Sequence, residues 1–422
     1  MLVHDLIGIG FGPSNIALAI ALEEARPAAP ATKSLFIEQQ PGFAWHPDMM
    51  LGDAHMQIAF LKDLATLRNP TSRYTFVNYL HEKQRLQDFI NLKTFYPSRH
   101  EFSDYFAWAA SRFAEQVAYG ESVVDVRPEV RGDNVELLRI RSRDQAGRFS
   151  ERLTRNLVLS IGGTPRIPPV FQHCASDDRV FHTHHYLRSI QANAHATRIA
   201  LIGGGQSAAE IFLDLHGRAN APQVDLIMRA RALKPADSSP YVNEVFNSEF
   251  VDHVFSQPAE ARDAMLAEFR HTNYACPDPA LIDQIFKIFY EQRVRGDARH
   301  QFLRRHDVIR ARAAEDGVHL TLFDQNTSRE VTQRYDAVVL ATGYERVSHR
   351  TMLAGLAPYS EGFEVDRGYR LKTVNGFKPA VYLQGSNEPT HGLSDTLLSV
   401  TSVRGGEIAE GVLAAVRAGR TF

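Results

Sequence analysis

The chain has 422 residues, 44% of them hydrophobic and 23% charged, which is too long for one ordinary core and suits a globular protein of two or three domains. Its formal net charge of −2 leaves no electrostatic footprint for DNA or RNA, so nucleic acid is excluded as an expected partner. Cys174 and Cys276, far apart in sequence, exclude a disulfide framework, a C-x-x-C redox pair and a cysteine zinc site.

In chain order, "MLVHDLIGIGFG" has no basic leader and reads as a first strand, and the expected compartment is the cytosol. No apolar run reaches the roughly eighteen residues a membrane span needs. The strand ends in Gly8, Gly10 and Gly12, and a helix is predicted from Pro13, where a missing N–H has no partner to lose. Glycines let the backbone approach a pyrophosphate while the helix N-terminus offers free N–H groups. The next apolar stretch, "SLFIE", ends in Glu38, placed to accept a bond from an adenosine ribose. Strand, turn, helix, strand and acid in that order predict a dinucleotide site. Between them, "ARPAAPA" (25–31) reads as a surface loop.

The run "HMQIAFLKDL" (55–64) sets Lys62 in an apolar segment, five positions after Gln57. By itself it reads as a lysine whose stem packs and whose head reaches water. "LVLSIGGTPRIPP" (157–169) and "YDAVVLATGYE" (335–345) are each a buried strand ending in small residues, placed to carry the chain between domains. His182, His184 and His185 in "VFHTHHYL" lack an evident acidic or sulfur partner, so they read as loop and surface residues near a domain junction and no metal site is expected.

The strand–turn–helix pattern returns in "RIALIGGGQSAAEIFLDLHGR", with Gly203, Gly205 and Ala208 at the fingerprint positions and Gly217 at the helix end. The second strand closes on Arg229 in place of an acid, and a guanidinium can grip a 2′-phosphate, so this site is expected to prefer NADPH to NADH. An acid in the first copy and an arginine in the second predict FAD followed by NADPH, hence hydride transfer to a flavin. Between the halves of the second unit, "PAEARDAMLAEFRH" predicts a helix with Pro258 in its first turn position and Ala261, Met265 and Phe269 on one face. "PALIDQIFKIFYEQRV" repeats the pattern with Ile282, Phe286 and Phe289, and most of these aromatics are expected in a core. Together such helices would form a lid.

The blocks "GFGPSN" (10–15), "FAWHPDMM" (43–50), "HMQIAFLKDLATLRNP" (55–70), "FINLKTFYPSRHEFSDYFAWA" (89–109), "GGGQSAAE" (203–210), "SPYVNEVFN" (239–247), "TNYA" (272–275), "ATGY" (341–344) and "THGLSDTLLSVTSVRGGEI" (390–408) carry a resemblance that spans nearly the whole chain. They resemble the N-hydroxylating flavin monooxygenases of siderophore biosynthesis, most of all the L-ornithine N(5)-monooxygenases. The resemblance implies FAD- and NADPH-dependent hydroxylation of the L-ornithine side-chain amine by O2 through a flavin hydroperoxide, for siderophore or related natural-product biosynthesis. It makes Lys62 the grip on the substrate carboxylate and a catalytic residue with Gln57, which lies against the flavin, and Asn273, which meets substrate and nicotinamide nucleotide. Asn243 and Ser399 become substrate ligands; Trp45, His46, Thr396, Leu397 and Leu398 line the flavin; Gln206 and Ser207 meet NADPH phosphates.

The expected fold is α/β, with two Rossmann-like dinucleotide-binding domains and a small helical substrate domain: 1–165 and 335–422 for FAD, 166–235 and 296–334 for NADPH, 236–295 helical. Hydroxylation of lysine, putrescine, cadaverine or histamine, or a flavin redox sensor or NADPH oxidase, are the alternatives left open, as is a homo-oligomer. The missing cysteine pair argues against a disulfide reductase, and no Phe–Gly–His–Trp signature of Baeyer–Villiger enzymes is present.

Overall fold

The computed structural model describes residues 2–26, 32–272 and 274–419; Asn273 and most of the expected 25–31 loop lie outside the described residues. The first strand is Val3–Ile9, the second Ser34–Glu38, and the helix between them is Pro13–Glu24, with Gly12 as N-cap and Pro13 in its first turn. These strands pair in parallel, and Val3–Ile9 pairs in parallel with Phe149–Leu159 on its other side. Val117–Tyr119 extends one end of the sheet. At the other end, Asn134–Asp144 and Glu121–Arg131 form an antiparallel arm, and Ala380–Leu383 returns from the far end of the chain to pair with Phe149–Leu159.

Successive side chains on these strands feed two cores. Leu6 joins the core beneath the helices, while Ile7 and Ile9 join the core on the opposite face. Burial on both faces is why the strand reads as a continuous apolar run. The helix-side core contains Phe76, Tyr79, Phe102, Tyr105 and Phe106, whose rings meet at centroid separations of 4.9 to 5.5 Å.

The second unit is an all-parallel sheet in the order Gln301–Arg304, Gln223–Met228, Arg198–Ile202, Ala337–Leu340, Val180–His182. The helix after its glycine turn is Gln206–Gly217, and a three-stranded antiparallel sheet, His306–Ala314, Gly317–Asp324 and Arg329–Tyr335, packs beside the parallel sheet. The two chain crossings between the units run side by side, Thr164–Pro165 pairing with Tyr344–Glu345.

Several expectations need correction. A break at 335 falls inside the second sheet, because Ala337–Leu340 is one of its central strands and the return crossing comes after it. The helix Pro279–Arg295, counted with the helical unit, buries Ile285 in the second unit's core, and its Phe289 stacks on Phe212 at 5.3 Å. The buried stripe runs through Leu281, Ile285, Ile288 and Phe289, which leaves Phe286 64% exposed instead of in a core. Pro258 is the N-cap of Ala259–Phe269, one position before the helix. Of the three histidines His182 is not a surface residue, since it is buried and its Nε2 bonds the Gly343 carbonyl at 2.9 Å, while His184 and His185 are half-buried. Among the described residues, no helix is long and apolar enough to cross a membrane, and no group of three or more His, Cys, Asp or Glu is arranged to hold a metal ion.

Candidate active site

The first glycine turn is a cradle shaped by its neighbours. Gly10 has φ +83°, and a Cβ there would lie 2.5 Å from the Ser160 carbonyl oxygen, so only glycine fits. Gly8 backs onto the Phe36 ring, while a Cβ on Gly12 would meet nothing within 4 Å. That open space, at the N-terminus of Pro13–Glu24, is where a phosphate can approach. Glu38 stands beside the turn and accepts the Phe11 N–H at 2.7 Å and the Gln40 N–H at 2.9 Å. Asn15, fully buried, donates to the Gly10 carbonyl at 2.7 Å and holds the turn in shape.

From the second strand the chain descends through Trp45, which packs edge-on against Phe106 at 5.1 Å, to His46. His46 adopts a left-handed conformation, φ 48°, a strained choice for a residue with a side chain and one that clusters at functional sites. His46 is solvent-exposed, yet desolvation by the neighbouring protein, followed by His184, Arg99 and Arg346, pushes its pKa down to about 4, which favours the neutral ring at pH 7. Gln57 is exposed.

Lys62 is half-buried, and desolvation pulls its ammonium below the ordinary lysine value. Among the described residues no carboxylate stands in ion-pair range of its Nζ. The loop that presents it is held by its neighbour: the buried Asp63 carboxylate accepts from Ala65 N (2.9 Å), Thr66 N (2.6 Å), Thr66 Oγ1 (2.8 Å) and Phe76 N (2.7 Å). Burial raises the Asp63 pKa, with those bonds opposing it. The Tyr105 hydroxyl accepts the Leu64 N–H at 3.1 Å and donates to the Tyr74 carbonyl at 2.7 Å, tying the loop to the aromatic core.

The C-terminal block forms the opposite wall. Thr396, Leu397 and Leu398 are half-buried, and Leu398 packs on the same core as Trp45, Leu64 and Ala65. Ser399 is buried, and among the described residues its Oγ finds no hydrogen-bond partner. Asn243, exposed at the end of Pro240–Asn243, leads into a turn that packs on Leu393–Thr396. Tyr274 donates to Glu388 and stands 3.4 Å from Thr396 Oγ1. Burial raises the Glu388 pKa. Arg346, whose guanidinium burial holds below the usual arginine range, donates to the carbonyls of Gly385 and Thr396 at 3.3 and 3.4 Å.

Beneath this wall lies Arg404, 2% exposed, which donates to Asp395 Oδ1 (3.0 Å), Gln384 Oε1 (3.2 Å) and Ser14 Oγ (3.0 Å). Sequence reasoning did not single out Asp63, Tyr274, Arg346, Glu388, Asp395 or Arg404. Each is a charged or hydroxyl side chain whose importance depends on burial and on a distant partner.

In the second unit Gly203 has φ +146°, and a Cβ there would lie 2.4 Å from the Ala341 carbonyl oxygen, so this turn too requires glycine. Gly205 is the N-cap of Gln206–Gly217, and Ser207 occupies the first turn of that helix. Gln206 does not point away from the protein: its Nε2 donates to Glu210 Oε1 and its Oε1 accepts the Asp278 N–H, both at 2.8 Å. Arg229 follows the strand Gln223–Met228, exposed, near Arg231 and Arg304.

A family model described as L-lysine 6-monooxygenase/L-ornithine 5-monooxygenase matches residues 2–346. The L-ornithine N(5)-monooxygenase of Pseudomonas aeruginosa is 50% identical over 411 residues, covering 96% of this chain and 93% of that protein. A solved structure of an ornithine hydroxylase from Pseudomonas aeruginosa, 50% identical, superposes with a TM-score of 0.96 over 98% of this chain and 100% of that one. The ornithine N-hydroxylase of Kutzneria sp. 744, solved with reduced FAD, NADP+ and L-ornithine, is 37% identical with a TM-score of 0.92, covering 97% of this chain and 99% of that one.

Proposed function

The chain belongs to the L-lysine 6-monooxygenase/L-ornithine 5-monooxygenase family, and from that premise we propose that it is an L-ornithine N(5)-monooxygenase. It hydroxylates the side-chain amine of L-ornithine: one atom of O2 joins the nitrogen, the other leaves as water, and NADPH supplies the two electrons. When bound, FAD and NADPH supply the hydride transfer and oxygen activation. The open turn at Gly12, flanked by Glu38, suits the FAD pyrophosphate and ribose, with Trp45, His46, Gln57 and Thr396–Leu398 along the ring; the Gly203–Gly205 turn, Gln206, Ser207 and Arg229 suit NADPH.

The observation that carries the substrate reading is Lys62. A half-buried ammonium without a protein carboxylate is costly, and the carboxylate of an amino acid relieves that cost with a charge-assisted bond. Ser399 Oγ, Asn243 and Asn273 complete the substrate ligands. The reacting amine must be neutral, although a free alkylamine has a pKa of roughly 10.4 by analogy with lysine. The two acids of the C-terminal loop do not hold it charged, because Glu388 is engaged by Tyr274 and Asp395 by Arg404 and the Asn387 N–H. Desolvation then favours the uncharged amine. The product serves siderophore or related biosynthesis in the cytosol, a compartment in keeping with the two free, buried cysteines.

An amine panel scored for NADPH consumption, hydroxylated product and peroxide tests this reading. Ornithine is expected to give product nearly stoichiometric with NADPH, while lysine, one methylene longer, falls behind by about 10- to 200-fold in kcat/KM. Equal coupling with putrescine or cadaverine, which offer Lys62 no carboxylate, overturns the substrate assignment, and peroxide alone with every amine makes the protein an oxidase. Arg229→Ala is expected to cut the preference for NADPH over NADH about tenfold, one charge-assisted bond to the 2′-phosphate. A retained preference moves the phosphate contact to Arg231 or Arg304.

A further inference from the structure

One charged contact between the two sheet units is both buried and bidentate. Arg99 donates to Glu210 Oε2 at 3.1 Å and Oε1 at 2.8 Å, with side-chain exposures of only 13% and 6%. Arg99 opens the helix Arg99–Ser111, where a cation opposes the positive end of the helix dipole. A residue placed against local preference points to a demand from elsewhere in the fold.

That demand is visible on both sides of the pair. Arg99 also donates to the Met49 carbonyl at 2.9 Å, and its backbone N–H bonds the Ala54 carbonyl at 2.8 Å. Met49, Leu51 and Ala54 are buried in the core of the second unit, although the same segment carries Trp45 and His46 before them and Gln57 and Lys62 after them. The wall of the oxidation chamber therefore passes through the nucleotide unit, and Arg99 grips it at both ends. Glu210 sits one turn along the second nucleotide helix and receives Gln206 Nε2, whose Oε1 accepts from Asp278, the N-cap of Pro279–Arg295. A second ion pair between the units, Asp48 with Arg188 at 3.0 Å, has an arginine 62% exposed and is weakened by solvent.

We propose that Arg99 and Glu210 are positioning residues that lock the second nucleotide helix to the flavin and substrate wall, so that NADP+ stays seated while the amine is hydroxylated. This rests on reading the Gly203–Gly205 turn as the NADP+ site and is independent of which amine is oxidised. Neither residue touches the reacting atoms. They act through the helix and the 49–54 segment.

The test is titration of NADP+ into oxidised, FAD-loaded enzyme, with peroxide and hydroxylated product measured in parallel. Arg99→Met is expected to raise the NADP+ Kd at least tenfold and the peroxide share several-fold, at wild-type FAD content. Arg99→Lys, which keeps the charge and loses the fork, is expected to fall between them. The near-isosteric Glu210→Gln is expected to shift both readouts in the same direction and carries the test if Arg99→Met does not fold. A purely structural pair predicts that the apolar double variant Arg99→Met/Glu210→Met regains melting temperature and NADP+ affinity together; a positioning pair regains only the first. An NADP+ Kd within twofold of wild type in both single variants overturns the proposal, as does joint recovery in the double variant. Wild-type enzyme that binds no NADP+ overturns the reading beneath it as well.

Discussion

Replacing Lys62 with alanine is expected to raise the ornithine KM ten- to a hundredfold while reduction of the flavin by NADPH proceeds at close to its normal rate. The removed interaction is one charged hydrogen bond, worth about 1.5–3 kcal/mol. On the proposed assignment it is made to a part of the substrate that does not react, so its loss falls on binding before it falls on chemistry. The same lysine imposes a pH signature. Desolvation lowers its pKa, so the charged form that binds carboxylate is fully present only below that depressed value and is lost as pH rises through it. The ornithine KM of the native enzyme should therefore climb on the alkaline side at a lower pH than a free lysine titrates, and Lys62→Ala should lack that component. Steady-state kinetics across pH, with stopped-flow reduction as the control, checks both. An unchanged KM in the variant removes Lys62 from the substrate site.

How far the sequence carries depends on the range of the interaction that decides each feature. Both nucleotide turns are local: glycines at Gly8 to Gly12 and Gly203 to Gly205 follow apolar runs and precede helices, and the strands and helices lie where those runs put them. Helix faces are harder. In Pro279–Arg295 the expected stripe of Ile282, Phe286 and Phe289 and the buried stripe of Leu281, Ile285, Ile288 and Phe289 are both periodic and share Phe289, and only the packing on Phe212 and the second sheet selects between them. The strand Ala337–Leu340 reads as a return to the first unit because nothing local shows that it pairs first with Arg198–Ile202. Buried charges are the least legible. Glu210 and Arg99 are 111 positions apart and Arg404 and Ser14 are 390 apart, and in sequence each looks like an ordinary surface residue.

Arg404→Met is expected to destabilise the flavin unit by about 3–5 kcal/mol, lowering its melting temperature by roughly 5–10 °C and loosening FAD. The reason lies in what is left behind more than in what is removed. Arg404 and Asp395 have side-chain exposures of 2% and 0%, so water cannot replace the lost partner. A buried ion pair can be worth little against an apolar pair of the same shape, yet breaking it from one side strands a charge. Here, among the described residues, the stranded carboxylate keeps one hydrogen bond, from the Asn387 N–H at 2.6 Å, with Arg346 as a more distant counter-charge, and sits at the head of the loop that presents Thr396 to Ser399. The same guanidinium reaches Ser14 in the first turn of Pro13–Glu24, so its loss also uncouples the phosphate cradle from the ring-facing loop. Pairing the change with Asp395→Asn separates these effects. The double variant is expected to recover part of the lost melting temperature, since no charge is stranded, without recovering FAD retention, since the link to Ser14 remains broken. Thermal melts of apo and FAD-loaded protein, read beside the flavin-to-protein ratio, give the answer; a single variant that melts and holds FAD like wild type denies Arg404 this role.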